Sequence, residues 1–141
     1  MSLHFEGRLT DEGHELVQRV YYEDTDFSGA VYHARYLHFM ERARTEFIRC
    51  KGFIQSEKLG QTDPENSAGF VVTHIDIKYI TPARMDDVLT ILTIPLQVKG
   101  ARMKLSQNIY RQDQDCLIQS VVTVACVNGN GRPRRLPESL L

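Results

Sequence analysis

Between residues 20 and 36 the chain reads VYYEDTDFSGAVYHARY, and Glu23, Asp24 and Asp26 fall within four positions just ahead of Gly29 and His33. Carboxylates and imidazoles attack carbonyl carbons, move protons or hold metal ions. Four arrangements fit these residues. The simplest is a solvated acidic turn that places negative charge near a helix amino terminus. A metal site would need converging ligands. His33 and His38 are five apart and face different sides of a helix, and His4, His14 and His74 form no spaced set. A glycosidase pair needs two acids set across a sugar, and acids this close at a strand end rarely converge that way. The last arrangement uses a helix start, whose unsatisfied N–H groups and partial positive charge favour an oxygen gaining negative charge. A carboxylate upstream, facing those amides across a reacting carbon, has the layout required for acyl transfer. Gly29 would let the backbone turn sharply there.

These residues must be held by the elements around them. LVQRVYY (16–22) has the β-branched and aromatic character of a strand. From about Tyr32 the period changes: Tyr36, Met40, Ala43 and Phe47 recur at three and four residues, with Leu37, Phe39 and Ile48 widening the stripe. Arg42 and Glu46 are spaced to pair across a turn, Arg49 and Lys51 put cations near the helix end, and Gly52 is placed to stop it. Residues 53–68 read as a loop. In FVVTHIDIKYI, Val71, Ile75, Ile77 and Tyr79 share one face, and His74, Asp76 and Lys78 the other. TPARMDD then turns into VLTILTIPLQV, where Pro95 implies an edge or a bulge. Lys99-Gly100 turns into ARMKLSQNIYR, and QDQD into CLIQSVVTVACV, which is apolar on both faces and so central. One strand, one long helix and four strands joined by short turns predict an α+β fold: five antiparallel strands with the helix on one face. Such a sheet leaves edges that a second copy could cover, so a homodimer or homotetramer is expected.

Composition narrows the function classes. With 141 residues, 42% apolar, and a net charge of -1, the chain can bury one core and has no basic excess for nucleic-acid phosphates. Cys50, Cys116 and Cys126 are odd in number and far apart, which fits buried thiols in a reducing compartment better than disulfides or zinc. The start MSLHFEGRLTDEGHEL has no apolar leader pattern and no window approaches a membrane span, so a cytoplasmic protein without a transmembrane segment is expected.

The stretch from Arg19 to Tyr36, with Tyr21, Glu23, Asp24, Thr25, Asp26, Gly29, Val31, Tyr32 and His33 in place, closely resembles the signature of the 4-hydroxybenzoyl-CoA thioesterase family. ERARTEF (41–47), PARMDD (82–87) and RPRRLP (132–137) resemble its YbgC-type acyl-CoA thioesterase branch, which is associated with the Tol-Pal system. The resemblance runs from about residue 16 to 137. It implies a hotdog fold over a single domain 1–141, with 1–14 and 138–141 as loosely ordered ends. It implies hydrolysis of acyl-CoA thioesters, with Asp26 as the catalytic carboxylate, either nucleophile or general base, and the His33 backbone N–H polarising the carbonyl. Gly29 and Tyr32 would contact substrate, and Lys99, Arg102 and Lys104 would meet the anionic nucleotide of CoA. No cofactor or metal is implied, since CoA is part of the substrate; an acyl carrier protein is a further candidate partner. Two rivals share the fold: a non-catalytic acyl-CoA or acyl-carrier binding module, and a dehydratase, whose chemistry relies on a histidine side chain with a partner acid.

Overall fold

The computed structural model describes residues 5–53, 63–112 and 115–140. The loop read over 53–68, the QDQD turn and the amino-terminal arm lie partly outside the described residues, at 54–62, 113–114 and 1–4, as does residue 141. One helix, α1 (Arg35–Cys50), packs against one antiparallel sheet. Its strands are β1 (Arg8–Leu9), β2 (His14–Arg19), β3 (Gly69–Tyr79), β4 (Val88–Lys99), β5 (Arg102–Arg111) and β6 (Cys116–Val127), in the spatial order β1-β2-β4-β5-β6-β3.

The helix buries the stripe its period predicts: Tyr36, Phe39, Met40, Ala43, Phe47 and Ile48. They meet Leu16 and the inward rows of β4 (Leu89, Ile91) and β5 (Leu105, Ile109), all buried. Gly52 ends the helix at φ +91, the left-handed conformation glycine adopts freely. The Gly52 N–H donates to Arg49 C=O (2.9 Å) and the Phe53 N–H to Ile48 C=O (3.0 Å), so two terminal carbonyls find donors. Glu46 pairs with Arg49 (3.3 Å) rather than with the exposed Arg42.

Three expectations are corrected. The sheet has six strands, not five, because Arg8–Leu9 pairs with β2. The helix begins at Arg35 rather than Tyr32, and the strand read over 16–22 ends at Arg19, with a 3-10 turn over Tyr22–Asp24. Although only a short segment joins them, β3 and β4 do not pair: β3 lies at the far edge, beside β6 alone, and β4 sits between β2 and β5. The TPARMDD segment is therefore a crossover and not a hairpin turn.

That crossover passes the start of α1 and is tied down on both sides. Val20 and Asp87 exchange a main-chain hydrogen bond (2.8 Å), as do Asp86 and Val20 (2.9 Å), and the Val31 N–H donates to Ala83 C=O (2.9 Å). The Ala83 N–H donates to the buried Tyr36 hydroxyl at 2.9 Å. Arg111 reaches Asp87 Oδ2 (3.1 Å) and Pro82 C=O (3.0 Å) from β5.

Pro95 sits at a bulge in β4, beyond the last residue paired with β2, so its missing N–H costs no ladder bond there. A second bulge, at Thr73, shifts the register of β3. Phe70 and Val72, rather than Val71, therefore line the cleft beside α1. The outer edge of β3 carries partly exposed apolar residues, with Val71 at 46%, Val72 at 43% and Tyr79 at 46%.

Candidate active site

The acid cluster divides by burial. Asp24 is buried, Oδ1 accepting from Arg35 Nε at 2.7 Å and Oδ2 from the Tyr21 N–H at 2.8 Å. Glu23 lies 3.7 Å from the same guanidinium. A cation in the first turn of a helix is opposed by the helix dipole, and these two acids offset it. They are thereby engaged with Arg35 and do not cap the helix amides.

Asp26 is exposed and held by its own loop. Thr25 and Val31 form a β-bridge that closes residues 26–30. Inside it the Asp26 N–H donates to Ala30 C=O and the Gly29 N–H to Asp26 C=O, both at 3.0 Å. Asp26 Oδ1 accepts from the Ser28 N–H (2.8 Å) and the Ser28 hydroxyl (2.5 Å), an Asx-type turn. Gly29 has φ +84, and a Cβ there would meet only Arg84 at 3.6 Å, so the turn's conformation, not space, calls for glycine. Among the described residues Oδ2 accepts no hydrogen bond. The Ser28 bonds, first the hydroxyl and then the amide, hold the Asp26 carboxyl below the ordinary aspartate value of 3.8, with a smaller contribution from His33. The acid is therefore an anion at neutral pH.

The helix start supplies the complementary charge. No side chain caps it, and its first turn holds no acid. The Tyr32 N–H is taken by Asp24 C=O (2.9 Å), and Tyr32 C=O accepts from the Arg35 N–H (2.8 Å). In a trans peptide the C=O and the next N–H point in opposite directions. Because Tyr32 C=O is drawn into the helix, the His33 N–H points out of it. Among the described residues that N–H has no acceptor. The Tyr79 hydroxyl donates to His33 C=O at 2.9 Å and fixes the next peptide. Burial pushes the Tyr79 phenol up, so it keeps the proton it donates.

Beside this turn lies a cleft of about 220 Å³ lined by Val31, His33, Tyr36, Tyr79, Ile80 and Pro82. The Tyr32 and His33 rings sit 4.6 Å apart. Asp26, Gly29, Tyr32 and His33 are thus gathered at one loop–helix junction. Lys99, Arg102 and Lys104 gather elsewhere, around a small cleft with Gln97 and Thr123 at the β4–β5 turn. β4 starts at Val88 near the junction and reaches Lys99 eleven residues later, about 35 Å along an extended strand. A single chain does not bring these cations to Asp26. His74, Asp76 and Lys78 are exposed along β3. Among the described residues no three His, Cys, Asp or Glu side chains converge as a metal site, and no helix is long and apolar enough to cross a membrane.

Two participants escaped the sequence reading. Arg35 is given no role there, although a cation in the first turn, against the helix dipole, signals a nearby acid. Tyr79 was placed on the apolar face of β3, and nothing in the sequence indicated that its hydroxyl reaches back to His33.

The profile of the thioesterase-like superfamily matches residues 20–141. The acyl-CoA thioesterase YbgC of Haemophilus influenzae is 42% identical over 133 residues, 94% of each chain. The acyl-CoA thioester hydrolase YbgC of Escherichia coli O157:H7 is 40% identical over 124 residues, 87% of this chain and 89% of that one. A crystal structure of a probable thioesterase from Bartonella henselae superposes with a TM-score of 0.82 at 43% identity, covering 89% of this chain and 99% of the other. With its single helix on a curled antiparallel sheet and its match over most of the sequence, the chain belongs to the thioesterase-like superfamily and has the hotdog fold.

Proposed function

We propose that the chain hydrolyses acyl-CoA thioesters to free acid and CoA, with Asp26 as nucleophile and the His33 N–H as oxyanion donor. The observation that carries this reading is the pairing of an ionised carboxylate, one oxygen of which is unengaged, with an unpaired amide at an uncapped helix start. The names of relatives at 40–42% identity support the substrate class.

Asp26 Oδ2 attacks the carbonyl carbon while the carbonyl oxygen takes charge against the His33 N–H. Collapse expels CoA thiolate and leaves a mixed anhydride, which water then splits into acid and free carboxylate. A thiolate leaves readily, so little acid assistance is needed. One preorganised oxyanion donor is worth about 3–4 kcal/mol in a comparable acyl site. The nucleophilic route, rather than general-base catalysis, is favoured by orientation: Ser28 holds Oδ1, and Oδ2 is left unengaged to meet the carbonyl carbon.

The site is completed by a second copy of the chain. Antiparallel pairing of two β3 edges about His74 would cover Val71 and Val72. It would also place the start of one β3 beside the end of the other. Register then links Val71 through Ala125 to Arg102, and His74 through Thr123 to Lys104. Each basic patch would lie two strand spacings, about 10 Å, from the shared edge and so serve the other subunit's site. The reading places this homodimer, alone or paired into a tetramer, in the cytoplasm of a cell with a Tol-Pal system. It needs no cofactor and takes its thioester from CoA or an acyl carrier protein.

Free-thiol release from a panel of short, long and aromatic acyl-CoAs tests the reading. The native protein turns over at least one, and Asp26→Asn, folded by circular dichroism, loses at least about a hundredfold in kcat. Unchanged turnover in Asp26→Asn removes the proposed nucleophile, and binding without turnover in the native protein points to a non-catalytic module.

Ser28→Ala removes the main cause of the lowered Asp26 pKa. The active form is the anion, lost as pH falls through its pKa, so the acid limb of kcat/KM lies below 3.8 in the native protein and moves up towards it in Ser28→Ala. A limb that stays in place or moves down assigns it to another group.

Charge reversal at Lys99, Arg102 and Lys104 together raises KM several-fold and changes kcat less. The opposite pattern places the nucleotide elsewhere.

A further inference from the structure

A second cleft, of about 250 Å³, lies on the β3 flank of α1, near the helix's carboxyl end. Ile48 of α1, Phe70 and Val72 of β3, Met103 and Leu105 of β5, and Val124 of β6 form its apolar walls. Arg44 stands among them. Its Nη1 donates to Gln107 Oε1 at 2.9 Å. Gln107 is fully buried and cannot turn, because its Nε2 donates to Met40 C=O (2.9 Å) and to the Thr93 hydroxyl (3.0 Å). A guanidinium has five N–H donors, and Arg44 has one acceptor and no carboxylate within 4.0 Å among the described residues. Glu41, at the rim of the same cleft, accepts from the Thr45 hydroxyl at 2.6 Å. Burial depresses the Arg44 pKa, with Glu41 acting the other way. This half-buried cation is anchored on one side only; Glu41 is a charged neighbour beyond 4.0 Å, and among the described residues no carboxylate contacts the guanidinium directly.

The position of this cation suggests its partner. The two clefts lie on the same flank of α1, one against the end of β3 at Tyr79 and the other against its start at Phe70 and Val72. Arg44 follows His33 by eleven residues, about 16 Å along the helix. A medium-length chain anchored by its thioester at the His33 amide and laid along α1 brings its far end to the guanidinium. We propose that Arg44, oriented by Gln107, is a specificity-determining residue that selects thioesters whose apolar chain ends in a carboxylate. This rests on the thioesterase reading above and adds the substrate class to it. A guanidinium binds a terminal carboxylate through two parallel N–H bonds, whereas a methyl end offers those donors no acceptor.

The test compares decanoyl-CoA with its ω-carboxylated counterpart in the native protein, Arg44→Met and Arg44→Lys. Native kcat/KM favours the carboxylated chain. The ratio of the two kcat/KM values falls at least tenfold in Arg44→Met and is partly restored in Arg44→Lys, which keeps the charge but not the fork. Calorimetry on Asp26→Asn gives the same preference in binding, and Asp26→Asn/Arg44→Met abolishes it. An unchanged ratio overturns the proposal. So does a fall in both activities at constant ratio with a change in oligomeric state, since Arg44 would then serve contact between copies. If calorimetry shows the preference but no thioester is hydrolysed, the subsite stands and the hydrolase reading fails alone.

Discussion

A helix that begins without a cap leaves amides unmet, and the start of α1 is built so that the His33 N–H stays that way. Nearby acids could have capped it. Asp24 is instead committed to Arg35 at 2.7 Å and, through its main-chain carbonyl, to the Tyr32 N–H. The crossover from β3 to β4 takes the Val31 N–H with Ala83 C=O, and Tyr79 takes the His33 carbonyl. Each of these bonds satisfies a neighbouring group, and the sum is a fixed peptide with one donor left over. Preorganisation of this kind matters because a donor that is already oriented needs no rearrangement when charge develops on the substrate oxygen.

The three clustered acids show how environment assigns roles to like residues. Asp24 is buried against a guanidinium and acts as a brace, and Glu23 adds longer-range charge to the same cation. Asp26 is exposed and bound only on one oxygen by a serine two residues away. Its carboxylate is thus both oriented and ionised, with Oδ2 left to react. Fixing one oxygen while sparing the other suits attack on carbon better than proton transfer.

Much of this was legible in the sequence where a single physical requirement acts. The helix stripe from Tyr36 to Ile48 was readable because one face must be buried. The Asp26–His33 junction was readable because a turn glycine and a helix start lie between strand and helix patterns. The crossover was not, since a short link between two strands looks like a hairpin, and only tertiary bonds from Tyr36, Asp87 and Arg111 show otherwise. The two-residue β1 is too short for any period to register. Gln107 carried a signal that went unused: it occupies an inward position between Leu105 and Ile109, where a polar side chain requires a buried partner. Its partners are Met40 C=O and the Thr93 hydroxyl on one side and Arg44 on the other. The β3 register was misread because a bulge at Thr73 adds a residue that alternation cannot reveal.

The central claim is spatial: a thioester carbonyl fits between the free oxygen of Asp26 and the exposed amide of His33. The most direct measurement is a crystal structure of the protein with an acyl-CoA analogue in which a ketone methylene replaces the thioester sulfur. The account predicts the ketone oxygen about 2.7–3.1 Å from the His33 nitrogen and the ketone carbon about 3–3.5 Å from Asp26 Oδ2. A bound analogue whose carbonyl lies away from the His33 amide, or with Asp26 turned from its carbon, would contradict it.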